Sequence, residues 1–104
     1  MPTLSHSITV QILQSDIDSA ERCSAVNNPL GRALLRMGWF SPYCSEPTLP
    51  GQRTTLRVQT AATWPYTTGF FWVCKGLAGL LQDFDHGGAE AVRPATFTLR
   101  RIRQ

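Results

Sequence analysis

Four stretches of this chain predict an α+β fold. Apolar and polar residues alternate over Ser7 to Leu13 and again over Thr54 to Thr60, apolar residues recur at helical spacing from Phe70 to Phe84, and Ala95-Thr96-Phe97-Thr98-Leu99 closes the chain as a strand. The resulting order is strand, two helices, one or two strands, helix, strand. It calls for a small, mainly antiparallel sheet of three to four strands with helices packed on one face. At 104 residues and 42% hydrophobic content, the chain supplies one core, so 1–104 is expected to be a single domain.

In the first strand, Ile8, Val10 and Ile12 share one face, and Thr9 and Gln11 the other. Ser15-Asp16-Ile17-Asp18 has the form of a capping box, with Ser15 accepting from the amide of residue 18, and a short helix to about Arg22 follows. Asn27-Asn28-Pro29 marks a second helix start. Asn28 is its N-cap and Pro29 its first residue, where a missing N–H costs nothing. Leu30, Leu34 and Met37 fall on one face of that helix, and Gly38 ends it. From Trp39 to Gly51, Pro42, Pro47 and Pro50 argue for an irregular loop.

Leu56 and Val58 then point inward from a second strand while Arg57 and Gln59 point outward. Phe70, Cys74, Leu77, Leu81 and Phe84 make the buried stripe of the last helix. Gly76 and Gly79 lower its intrinsic propensity by about 1 kcal/mol each and permit close approach of a neighbour. Gly87-Gly88 stops it in a left-handed cap. Pro94 stands at the entrance to the closing strand, from which Phe97 and Leu99 face the core.

Only 16% of the residues are charged, so the surface is rich in Ser, Thr, Gln and Gly, yet the apolar content argues against disorder. The net charge of +3 comes from nine Arg and one Lys against seven acids. This surplus is too small to prescribe a nucleic-acid partner; its distribution is more telling, since no acid follows Glu90 while Arg93, Arg100, Arg101 and Arg103 do. Cys23, Cys44 and Cys74 form neither a CxxC pair nor a zinc-spaced cluster, so no metal is expected. Met1 to His6 has neither a basic start nor an apolar run. With an odd cysteine count, this points to free thiols in a reducing cytoplasm, and a Cys23–Cys44 disulfide would form only if the fold brought the two together. The apolar run from Gly69 to Leu81 is interrupted by Lys75 and too short to span a membrane.

Three pieces of the chain together resemble a group of small phage-encoded proteins of GC-rich hosts. Val10-Gln11-Ile12-Leu13-Gln14-Ser15-Asp16-Ile17-Asp18 is similar to the group's opening strand and Gln-x-x-Ile helix start. Asn28-Pro29-Leu30-Gly31-Arg32-Ala33-Leu34 is similar to its Cys-Pro-x-Ala helix, with Asn28 where the group often has Cys. Leu81-Gln82-Asp83-Phe84-Asp85-His86-Gly87, followed by Val92-Arg93-Pro94-Ala95-Thr96-Phe97-Thr98-Leu99, resembles its Phe-Asp-x-Gly ending, with Ala95 where the group often has Phe. The resemblance implies a phage or mobile-element context and a fold. It carries over no catalytic residue and no cysteine pairing.

Asp83, Asp85 and His86 are the densest ionisable set, and a carboxylate beside a His is able to do acid–base work. Residues two apart on a helix do not share a face, however, and His86 near a helix end serves the dipole, so no enzyme is expected. Gly69, Gly76 and Gly79 do not form a phosphate loop, and no cofactor is expected. Trp39, Phe40 and Tyr43 either pack beneath a loop or form an aromatic patch for a partner. Arg100, Arg101 and Arg103 either neutralise phosphates, with those rings stacking on bases, or discourage edge pairing of a terminal strand. The expected function is a non-enzymatic accessory protein that binds a host or phage protein. In the phage context that the resemblance implies, such a protein would act as an inhibitor of a host defence system, for example of the CRISPR type. The alternatives are a nucleic-acid-binding module using the C-terminal arginines and a small enzyme using Asp83, Asp85 and His86; in any of these readings an edge strand or the apolar helix could also build a homodimer.

Overall fold

The alternation of the first strand places three aliphatic side chains on one side of the backbone. In β1 (Ser7–Ile12) Ile8, Val10 and Ile12 are buried, while Ser7, Thr9 and Gln11 are exposed. The computed structural model describes residues 4–47 and 49–103; Met1 to Thr3 of the expected tail, Thr48 of the Pro-rich segment and Gln104 lie outside them. After β1 come α1 (Gln14–Ser19), α2 (Pro29–Arg36), β2 (Phe40–Ser45), β3 (Thr55–Gln59), β4 (Thr68–Trp72), α3 (Lys75–Gly87), a 3-10 turn over Gly88–Ala91, and β5 (Ala95–Arg101). The strands form one antiparallel sheet in the order β1-β5-β4-β3-β2. The α+β class holds, with five strands where the sequence predicted three to four. No helix is long and apolar enough to cross a membrane among the described residues.

The two extra strands come from segments that sequence patterning assigned otherwise. Residues 40–45 were expected to be irregular because of Pro42, yet they pair with β3 as an edge strand, where one missing donor is tolerated. A register shift between Phe40 and Tyr43, with Ser41 at φ 50°, absorbs the mismatch. Phe70 to Trp72 were expected to open the last helix but form β4, which lies between β3 and β5. A short run of aromatic residues satisfies either period, and the two flanking ladders decide it. Helix α3 therefore starts at Lys75, and Cys74 is its N-cap residue, half-buried.

Helix α1 also starts earlier than its capping-box pattern suggests. Leu13 is the cap residue, and its N–H donates to Asp16 Oδ2 at 2.8 Å. Asp16 is in turn bound by Arg36 of α2, with Nη2 at 3.0 Å. Asp18 instead accepts from Gln14 Nε2 at 2.9 Å. Starting at Gln14 sends Ile17 into the core and leaves Asp16 buried beside its partner, an arrangement that ties α1 to α2. Asn28 caps α2 as expected, its Oδ1 accepting from the Gly31 N–H at 2.8 Å. A Cβ at position 31 would collide with the Val26 carbonyl, so only Gly fits where the incoming chain crosses the helix.

Leu30, Ala33 and Leu34 of α2 are buried, but Met37 is 37% exposed. The helix ends before it. Gly38 at φ 94° turns the chain in a Schellman arrangement, with Gly38 N–H donating to Leu35 O at 3.1 Å and Trp39 N–H to Leu34 O at 3.0 Å. That turn carries Trp39, rather than Met37, into the core. Helix α3 ends differently, at Gly88 with φ 74° and ψ −160°, outside the left-handed helical region expected of the Gly-Gly stop, its N–H donating to the Phe84 carbonyl.

Leu77, Leu81 and Phe84 of α3 join Ile8, Val10, Ile12, Leu56, Val58, Phe71 and Leu99 of the sheet in one cluster with the buried residues of α1 and α2. Phe97 packs on its margin. Helix α2 touches both β1 and β2, the opposite edges of the sheet, so the sheet curls around it. All three helices cover the same side of the sheet, as the amphipathic patterns require, and among the described residues no helix or strand covers the other side.

Candidate functional site

Residues of the uncovered face follow from strand parity. Phe70 and Trp72 point away from the core that Phe71 enters, and the ladders set Arg57 opposite Phe70, Tyr43 opposite Arg57, Thr55 opposite Trp72 and Arg100 opposite Trp72. Away from Arg100, which pairs with Ser7 at its end, the β1–β5 half of the face is polar and uncharged, built from Thr9, Gln11, Thr96 and Thr98, with a Thr9–Thr98 hydroxyl contact of 3.3 Å. The β2–β4 half is aromatic and basic. Arg57 lies over the Tyr43 ring at 5.2 Å from its centre, and Arg53 over Trp72 at 4.9 Å. Each pair stacks a delocalised cation on a ring face.

Charge is divided between the two sides of the molecule. Asp16, Asp18, Glu21, Asp83, Asp85 and Glu90 belong to the helices, the 3-10 turn and their connections; Glu46, just after β2, is the remaining acid. On the helical side, Arg22, Arg32 and Arg36 are engaged by the Asp85 and His86 carbonyls, the Ser19 hydroxyl and Asp16. On the sheet side stand Arg53, Arg57 and Arg100; Arg101 shares the parity of Leu99 and pairs with Phe71 at the sheet's end, Arg103 follows it, and Lys75 of α3 and Arg93 before β5 are the remaining cations. No acidic side chain occupies an outward position of the five strands among the described residues.

Two depressions flank the aromatic row. At the Trp72 end, Ser45, Glu46, Arg53, Thr55 and Trp72 line one of about 440 Å³. At the Phe70 end, His6, Thr68, Phe70, Arg101, Ile102 and Arg103 line one of about 350 Å³, with no acid on its walls. Backbone bonds shape this second groove, Arg101 N–H to His6 O and Ile102 N–H to Phe70 O, both at 2.7 Å.

The residues singled out from sequence separate in the structure. Trp39 is 4% exposed and belongs to the core, so a partner cannot reach it. Phe40 and Tyr43 are exposed on β2. Arg100 sits on the open face beside Trp72, whereas Arg101 and Arg103 line the groove at the other end of the row. Sequence reading assigned Arg57 outward, did not single out Arg53 or Trp72, and placed Phe70 in the buried stripe of the last helix, whereas Phe70 belongs to β4 and points outward, half-buried, opposite Arg57. A strand assignment for 68–72 would have placed Phe70 and Trp72 on the outward parity beside Arg57.

Asp85 and His86 are used structurally. Asp85 Oδ1 accepts from the Cys23 N–H at 2.8 Å, Arg22 donates to the Asp85 and His86 carbonyls at 3.0 and 2.7 Å, and His86 Nδ1 lies 3.0 Å from Gln82 O. These bonds satisfy the terminal carbonyls of α3 and dock residues 22–23 on them. Asp83 is exposed on α3. No group of three His, Cys, Asp or Glu residues that could hold a metal ion occurs among the described residues.

Cys23, Cys44 and Cys74 are free thiols. Cys23 and Cys44 line one groove of about 490 Å³ without being bonded. Burial pushes the Cys44 thiol pKa up; a hydrogen bond from Asn28 opposes this, and the charges of Glu46 and Asp85 add to it. Because the folded value lies above the unfolded one, this group's contribution to stability is complete below the ordinary thiol range and is lost as pH rises through it. Iodoacetamide at neutral pH is expected to label Cys23 first and Cys44 only after denaturant is added, as read by peptide mass spectrometry. Equal labelling rates in the native protein would contradict the burial of Cys44.

In comparisons with protein-family models, curated proteins and solved structures, none matched the chain.

Proposed function

We propose that this protein is a non-enzymatic accessory protein, in the phage-type setting that its resemblance implies, and that its open sheet face binds single-stranded nucleic acid. The observation carrying this reading is the interleaving of Tyr43, Phe70 and Trp72 with Arg53, Arg57 and Arg100 on a sheet face whose strands carry no outward acid among the described residues, Glu46 flanking it at the Trp72 end. Rings stack on bases of any sequence, and guanidinium groups neutralise the backbone between them. Phe70 and Trp72 stand two residues apart on β4, hence about 7 Å apart along the strand. Bases in a duplex are stacked about 3.4 Å apart. Bases resting on both rings are therefore splayed, which an unpaired strand allows and a duplex does not.

Relative to the expectation of a protein partner, the structure removes Trp39 from the exposed surface and places Arg100 next to Trp72, which supports the nucleic-acid alternative. The test is fluorescence anisotropy of labelled oligo-dT, oligo-U and a duplex of equal length, titrated with the protein at several salt concentrations. Both single strands should bind more tightly than the duplex, with affinity falling steeply as salt rises. Absence of binding to all three at low salt would overturn the reading and give the face to an acidic protein partner.

A further inference from the structure

Trp64 is 81% exposed, in contrast to Trp39 in the core and Trp72 half-buried under Arg53. Leaving a side chain of this size in water forgoes the gain of burying it. It sits in the turn joining β3 to β4, which is closed at its base by Thr60 N–H to Thr67 O at 3.0 Å and Thr67 N–H to Thr60 Oγ1 at 2.9 Å. Pro65 follows it, and Tyr66 beside it is 39% exposed. The ring is thus presented on a short constrained turn, where it loses little freedom on being covered.

The position of the turn indicates what covers it. Gln59 and Thr68 are the last ladder pair before the turn, and Phe40 pairs with Gln59, so the turn leaves the sheet at the Phe70 end of the aromatic row. Thr68 also lines the groove of His6, Arg101 and Arg103. Residues 60–67 carry no charge, so an uncharged turn bearing an exposed ring leaves the sheet at Thr68, which itself lines a groove with two arginines and no acid among the described residues. A polyanion with flat apolar faces fits that combination.

We infer that Trp64 is a specificity-determining residue that stacks on an unpaired base of a strand whose phosphates lie along the Arg101 and Arg103 groove. This rests on the nucleic-acid reading and names the residue that distinguishes an accessible base from a bare backbone. The experiment compares the wild type, Trp64→Ala and Trp64→Phe for binding to oligo-dT and to an abasic oligomer of the same length, with circular dichroism melts showing that each variant folds. Loss of one base stack should weaken oligo-dT binding about tenfold in Trp64→Ala, whereas Trp64→Phe keeps most of the affinity. Binding to the abasic oligomer should be the same in all three proteins. Oligo-dT affinity unchanged in Trp64→Ala, or equal losses on both oligomers, would overturn the inference and leave the sheet-face reading standing. Failure of the wild type to bind either oligomer would overturn both.

Discussion

Replacing Trp39 by alanine should lower the unfolding free energy by about 4 kcal/mol, in the range measured for large aromatic truncations in cores. Trp39 is 4% exposed and is turned inward by Gly38 onto the cluster that α2 shares with the sheet. The adjacent Phe40→Ala should cost under about 1 kcal/mol, because Phe40 is 36% exposed on the edge strand β2 and little packing is lost. Urea denaturation of the two variants makes the comparison with one probe. Adjacent residues with such different costs would establish that the aromatic segment is divided between core and surface. Equal small losses would mean that Trp39 is not held in the core and would restore it as a partner-facing residue.

The second large effect concerns binding. Joint replacement of Arg53, Arg57 and Arg100 by Gln should weaken oligo-dT affinity on the order of 100-fold at moderate salt. It should also reduce the slope of log affinity against log salt by about 2, since each phosphate contact on a single strand contributes about 0.7. The side chains are exposed, so the melting temperature should move little beyond the loss of two cation–ring contacts worth about 0.5–1 kcal/mol each. Replacing the same three by Lys should keep the salt slope while lowering affinity, because an ammonium keeps the charge and lacks the planar stack. An unaltered slope in the Gln variant would remove the open face as the binding surface.

Local chemistry determined much of this fold. Asn28-Pro29 starts α2 because the short polar side chain of Asn28 caps the Gly31 N–H and Pro29 stands at the first position, where an N–H would have no helical partner, and Gly38 and Gly88 end helices because each adopts a positive φ. The alternation in 7–12 and 55–59 assigned Ile8, Val10, Ile12, Leu56 and Val58 inward and Arg57 outward, since strand parity depends only on neighbours in sequence. Tertiary pairing decided the rest. Phe70 to Trp72 satisfies helix and strand periods alike until β3 and β5 supply ladders on both sides, and Pro42 is compatible with a strand only because β2 lies at the sheet edge. Those two decisions created the open face, bringing Tyr43, Arg57, Phe70, Trp72 and Arg100 into one row from four different strands. Ladder register between segments distant in the chain leaves no local signal, so the sequence alone determined the parity of the two alternating strands, Arg57 outward among them, and only the tertiary structure turned Phe70, Trp72 and Tyr43 outward and decided which side chains met.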